Sequence, residues 1–79
     1  MNNYTEFLIT IVEFPEPVNG KTIYYFGSLA AIFEYFDHRT VGIRLSTLHH
    51  RNIGPEPYNT GKCKISKQTA YRLKRVKEQ

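Results

Sequence analysis

The 79-residue chain has one cysteine, Cys63, and that scarcity excludes an internal disulfide. CxxC and CxxH spacings are missing as well, so no zinc site and no cofactor is expected. A chain this short buries a limited share of its surface, and its core must rest on apolar packing or on a partner chain. No apolar run approaches the roughly eighteen residues a membrane-crossing helix needs. The opening residues, Met1-Asn2-Asn3-Tyr4-Thr5-Glu6, lack the basic start of a secretory signal, so a cytoplasmic protein is the expectation. The absence of a phosphate-binding glycine loop removes support for nucleotide hydrolysis. Glu13 and Glu16 flank a proline with no nucleophile or base beside them, and read as solvated charge rather than acid–base machinery. His49 and His50 are adjacent, and neighbours on a helix point about 100° apart. With His38 and Cys63 they make no converging ligand set, and a non-enzyme is expected.

Acidic residues are scarce in one half of the chain. Residues 1–38 hold five acids against Lys21, a net of −4, and residues 39–79 hold ten bases against Glu56 and Glu78, a net of +8. The whole chain carries +4. A one-sided positive field draws phosphate chains, so the second half is expected to meet a polyanion. Aromatic residues are plentiful, with six Tyr and five Phe, which suits a small core.

Thr5 to Phe14 is β-branched and aromatic without Gly or Pro, and predicts a strand that Pro15 and Pro17 end. Its faces are Phe7, Ile9, Ile11 and Leu8, Thr10, Val12, Phe14. Asn19-Gly20 predicts a hairpin turn, with Thr22–Phe26 as the return strand, giving a hairpin over 5–26. Tyr24-Tyr25-Phe26 reads as a strand with core residues on both faces rather than as a base-stacking surface, and Tyr58 and Tyr71, set among bases, are the better stacking candidates. Ser28 is a helix N-cap, and Leu29, Ile32, Phe33 and Phe36 form one apolar stripe. Asp37–Thr40 should leave that helix, Val41-Gly42-Ile43 should turn, and a second helix should run from Arg44 or Leu45 to Arg51 with Leu45 and Leu48 inward. Asn52–Gly61 reads as a loop. Lys62–Ser66 alternates basic and apolar residues like a short strand, and the residues from Lys67 onward predict a basic helix or arm.

The stretch Val41-Gly42-Ile43-Arg44-Leu45-Ser46-Thr47-Leu48-His49-His50-Arg51 resembles the turn and recognition helix of helix-turn-helix DNA-binding proteins. The resemblance covers residues 28–53. It departs from that pattern in the longer connection from Phe36 to Val41, with His38 where a small residue is usual, and in Arg44 at the cap position. The surrounding sequence also looks like small phage and mobile-element proteins that add a β-wing, which Lys62–Ser66 would supply. The resemblance implies base-edge contacts from Leu45, Ser46, His49 and His50, with Arg44 and Arg51 reading guanine or gripping phosphate. It implies phosphate contacts from Lys62, Lys64, Lys67, Arg72, Lys74, Arg75 and Lys77.

The expectation is therefore one α+β domain over 1–79: an N-terminal β-hairpin, a two-helix helix-turn-helix-like unit, a short third strand and a basic C-terminal helix or arm. Its expected function is nucleic-acid binding, duplex DNA first, as a regulator or accessory factor, with a homodimer through the open edge of the first strand. RNA is the other nucleic-acid target to weigh. A protein-binding module, such as an inhibitor docking on a host complex, is the reading from a different class.

Overall fold

A computed structural model describes residues 4–73. Tyr4–Val18 forms β1 and Lys21–Phe26 forms β2. They pair antiparallel, with Ile11 opposite Tyr25 and Val12 opposite Tyr24. The turn between them places Asn19 at φ 54° and Gly20 at φ 87°, the positive values that two-residue hairpin turns of this type require. Pro15 and Pro17 do not end β1. The register shifts between Glu13 and Val18, and an irregular ladder tolerates residues that cannot donate.

The helical portion is smaller than the sequence predicts. Leu29–Tyr35 is α1, and the Ser28 hydroxyl accepts from the Ala31 N–H at 3.2 Å. The chain leaves α1 before Asp37, as expected, and Asp37 then caps a further turn, α2 (His38–Val41), by accepting from the Arg39 N–H. The expected second helix is a four-residue turn, α3 (Leu45–Leu48), followed by a 3-10 turn over His49–Arg51. Tyr58–Asn59 is β3. The expected short strand at 62–66 begins later and runs much further, as β4 (Lys64–Leu73), where a helix or arm was expected. Lys74, Arg75 and Lys77 lie outside the described residues.

The fold class is thus corrected. The chain is a strand-dominated, four-stranded antiparallel sheet, β2-β1-β4-β3, with only short helical turns. It is not a two-helix helix-turn-helix unit, because one turn of α3 cannot form a recognition helix. Cross-strand pairing overrides the helix-forming residues of β4: each residue from Lys64 to Leu73 has a partner between Glu13 and Tyr4.

The helices cover one face of the sheet. Thr10, Val12, Phe14, Tyr24 and Ile65 point into a core completed by Leu29, Ile32, Phe36, Val41, Leu48 and Cys63. Edge-to-face contacts among Phe14, Tyr24 and Phe36, with ring centroids 4.9 to 6.0 Å apart, knit α1 to the hairpin. The opposite face carries Phe7, Ile9, Ile11 and Tyr25 from alternate positions, and among the described residues no helix lies over it. Along Thr10–Glu13, β1 lies between β2 and β4 and offers no edge for a second copy. Its first residues, Tyr4–Ile9, pair with β4 alone. They form with it a two-stranded ribbon that extends beyond β2.

Candidate nucleic-acid interface

The chain turns at Val41-Gly42-Ile43 as expected: Gly42 closes α2 at φ 92°, with its N–H donating to the His38 carbonyl at 2.8 Å. The loop before β4 packs directly on it: a Cβ there would stand 2.7 Å from Lys62 Cγ and 2.9 Å from Thr60 Oγ1. Thr60 ties this junction together. Its hydroxyl lies 2.6 Å from the Val41 carbonyl and accepts from the Lys62 and Cys63 N–H groups, each at 3.1 Å. The Cys63 thiol also reaches the Val41 carbonyl, at 3.3 Å. Burial raises its pKa, so Cys63 is a packing residue rather than a nucleophile.

The candidate base-contacting residues separate by exposure. Arg44, Ser46, His49, His50 and Arg51 are exposed, but Leu45 packs against the core. The stacking candidate Tyr58 is half-buried, with the Arg51 guanidinium carbon 5.9 Å from its ring centre. Among the candidate phosphate contacts, Lys62 precedes β4, and Lys64, Lys67 and Arg72 lie along it. Lys64 and Arg72 are exposed on the uncovered face, and Lys67 is half-buried on the helical side.

The two basic segments are held to each other. The chain leaving the 3-10 turn lies against β4, where the Lys67 N–H donates to the Gly54 carbonyl at 2.7 Å. Gln68 Nε2 donates to the Pro55 carbonyl at 2.9 Å. His49 and Lys67 line one groove with Leu8, Thr10 and Leu29, between the ribbon and α1.

Asp37 forms an ion pair with Arg39, whose Nε lies 3.1 Å from one carboxylate oxygen, and His38 Nδ1 lies 3.1 Å from the other. The Arg39 backbone N–H, then the Arg39 charge, hold its carboxyl below the usual range. Burial beside Tyr35 pushes the Tyr24 phenol up, in keeping with a neutral core tyrosine that donates to the Val18 carbonyl. Among the described residues no three His, Cys, Asp or Glu side chains converge as a metal site. No described helix is long and apolar enough to cross a membrane.

The sequence assigns Tyr25 to a strand core and Phe7 only to one face of the first strand, and the structure corrects the first. Tyr25 is 63% exposed and Phe7 39%, both on the uncovered face. Strand alternation separates Tyr25 from Tyr24, but the sequence does not reveal which face the helices cover. Comparison of the chain with protein-family models, curated proteins and solved structures gives no match.

Proposed function

We propose that this protein is a non-enzymatic nucleic-acid-binding protein whose phosphate contacts come chiefly from β4. The observation that carries this reading is the joining of two basic stretches into one body. β4, with Lys64, Lys67 and Arg72, is hydrogen-bonded at Lys67 and Gln68 to Gly54 and Pro55, which follow Arg44, His49, His50 and Arg51 in the chain. The sequence beyond Leu73 adds Lys74, Arg75 and Lys77. The preference for duplex DNA rested on a recognition helix, and a single turn with inward leucines gives it no support.

The test is fluorescence anisotropy with labelled oligonucleotides at about 50 and 200 mM salt. Phosphate contacts release counterions, so log K should fall linearly with log salt, by about 0.7 per contact on a single strand. Two contacts, from Lys64 and Arg72 on the uncovered face, then predict a loss of roughly sevenfold across that range. Replacing Lys64 and Arg72 together by alanine should flatten the slope and weaken binding on every sequence tested. An unchanged slope would remove β4 from the interface.

A protein-binding module is the second reading, and the ribbon favours it. The ladder alternation turns the backbone groups of Tyr4, Glu6 and Leu8 away from β4, where they have no partner among the described residues. Such an edge accepts an added strand. Recovery of one protein from nuclease-treated extract, lost on proline substitution of Glu6, would support this reading.

A further inference from the structure

The core aromatic residues have ring partners, whereas the two on the open face have none. Phe14, Tyr24, Phe26 and Phe36 interlock under the sheet, and Tyr35, 57% exposed, packs its ring against Tyr24, Phe26 and Phe36. Tyr25 belongs to no aromatic pair among the described residues and is 63% exposed. Among the described residues Phe7 pairs with no other ring. Its described partner is Arg72, whose guanidinium carbon sits 5.1 Å from the ring centre. Ile9 and Ile11, half-buried, lie between the two rings as an apolar floor. Tyr25 stands opposite Ile11 on β2 and Phe7 lies four residues down β1. At about 3.3 Å per residue and 4.8 Å between strands, the two rings are set roughly 14 Å apart. That spacing suits two or three bases lying on a sheet.

From this we infer that the open face of β2, β1 and β4 binds single-stranded nucleic acid, with unpaired bases stacked on Tyr25 and Phe7. The inference rests on the nucleic-acid reading above and gives it a substrate class. A duplex offers phosphates and groove edges, but its base faces are already covered by their neighbours. An exposed ring gains most from a base that lacks a stacking partner, whatever its identity. The charge on this face fits the same ligand. Arg72 stands beside Phe7, and Lys64 stands near the Tyr25 end, opposite the lone acid Glu13. β4 then leads in sequence into Lys74, Arg75 and Lys77. Arg72 serves twice, since a guanidinium can hold a phosphate and can stack.

The test compares a labelled oligothymidylate with a mixed-sequence duplex of equal length, by anisotropy at low salt. Tyr25→Ala and Phe7→Ala should each weaken the single strand about five- to hundredfold, with the duplex changed less than about twofold. Tyr25→Phe keeps the ring and should bind like the parent. The chain has no tryptophan, so its emission comes from tyrosine. Saturation with oligothymidylate should quench part of that emission in the parent and less of it in Tyr25→Ala. Circular dichroism melts check that Phe7→Ala remains folded, and Tyr25→Ala carries the test alone if it does not. Three outcomes would overturn the inference while leaving the broader reading intact: alanine variants that bind the single strand like the parent, equal losses on strand and duplex, or a parent dimer that Tyr25→Ala dissociates without changing strand affinity. A parent that binds neither polymer at low salt overturns both.

Discussion

Replacing Gly42 by alanine tests how the helical turns are fixed to the sheet. Gly42 sits at φ 92°, where a side chain costs about 1–2 kcal/mol because Cβ crowds the following carbonyl oxygen. The added Cβ would also meet Lys62 Cγ at 2.7 Å and Thr60 Oγ1 at 2.9 Å. Lys62 can move, since its end is flexible. Thr60 cannot shift without disturbing its bonds to Val41, Lys62 and Cys63, at about 1 kcal/mol or more. The combined cost is about 3 kcal/mol, a large part of the 5–15 kcal/mol that holds a typical domain together. At roughly 4–8 °C per kcal/mol for a domain of this size, Tm should fall by more than about 10 °C. Two other glycines calibrate the effect. Gly20 shares the positive φ, at 87°, but has no atom within 4 Å of its Cβ position, so Gly20→Ala should cost only the conformational part. Gly54 has neither constraint, and Gly54→Ala should lie within about 0.5 kcal/mol of the parent. Thermal melts by circular dichroism give the order. If Gly42→Ala melts no lower than Gly20→Ala, the packing of the Thr60–Lys62 loop on α2 is not as described.

Other consequences follow from the same contacts. Ile32 is fully buried in the core, so Ile32→Ala should cost about 2–5 kcal/mol in urea unfolding, and a loss under 1 kcal/mol would contradict its placement. Ser28→Ala removes the α1 cap and should cost about 1 kcal/mol, measured the same way. Asp37 has a lowered carboxyl pKa. Its stabilisation is therefore complete above the unfolded value and is lost as pH falls through the folded one. The Tm of the parent should drop more between about pH 6 and pH 3 than that of Asp37→Asn, and equal drops would contradict the pairing with Arg39. Cys63, buried with its thiol pKa raised, should react with a disulfide reagent slowly in the folded protein and rapidly in denaturant.

What could be read from the sequence was local. Asn19-Gly20 specifies its turn through two residues that tolerate positive φ, and Ser28 with Leu29, Ile32 and Phe36 specifies α1 through a cap and one apolar stripe. The errors lie where distant segments decide. Leu45, Leu48 and the exposed bases after them have a helical spacing. But the loop at Thr60–Lys62 locks Gly42 from the far side, and Asn52 at φ 51° ends the helical turns that follow. Asp37 was a capping signal hidden in a polar run. Ala70, Arg72 and Leu73 favour helix by themselves, and only pairing with Tyr4–Phe7, more than sixty residues earlier in the chain, makes them strand. The same long-range assembly decides that Tyr24 is buried under α1 while its neighbour Tyr25 faces solvent. Strand alternation alone assigns the two to opposite faces without saying which is covered. The basic half of the candidate interface was legible as charge, whereas its aromatic half depends on the helices all packing on one side.

The most direct measurement of whether the uncovered sheet face is the nucleic-acid surface is an amide NMR titration of the full chain with oligothymidylate. The account predicts the largest changes at Phe7, Ile9, Ile11, Tyr25, Ser66 and Gln68, with α1 nearly unmoved. Changes confined to α1 and α2, or none at saturating oligonucleotide, would contradict it.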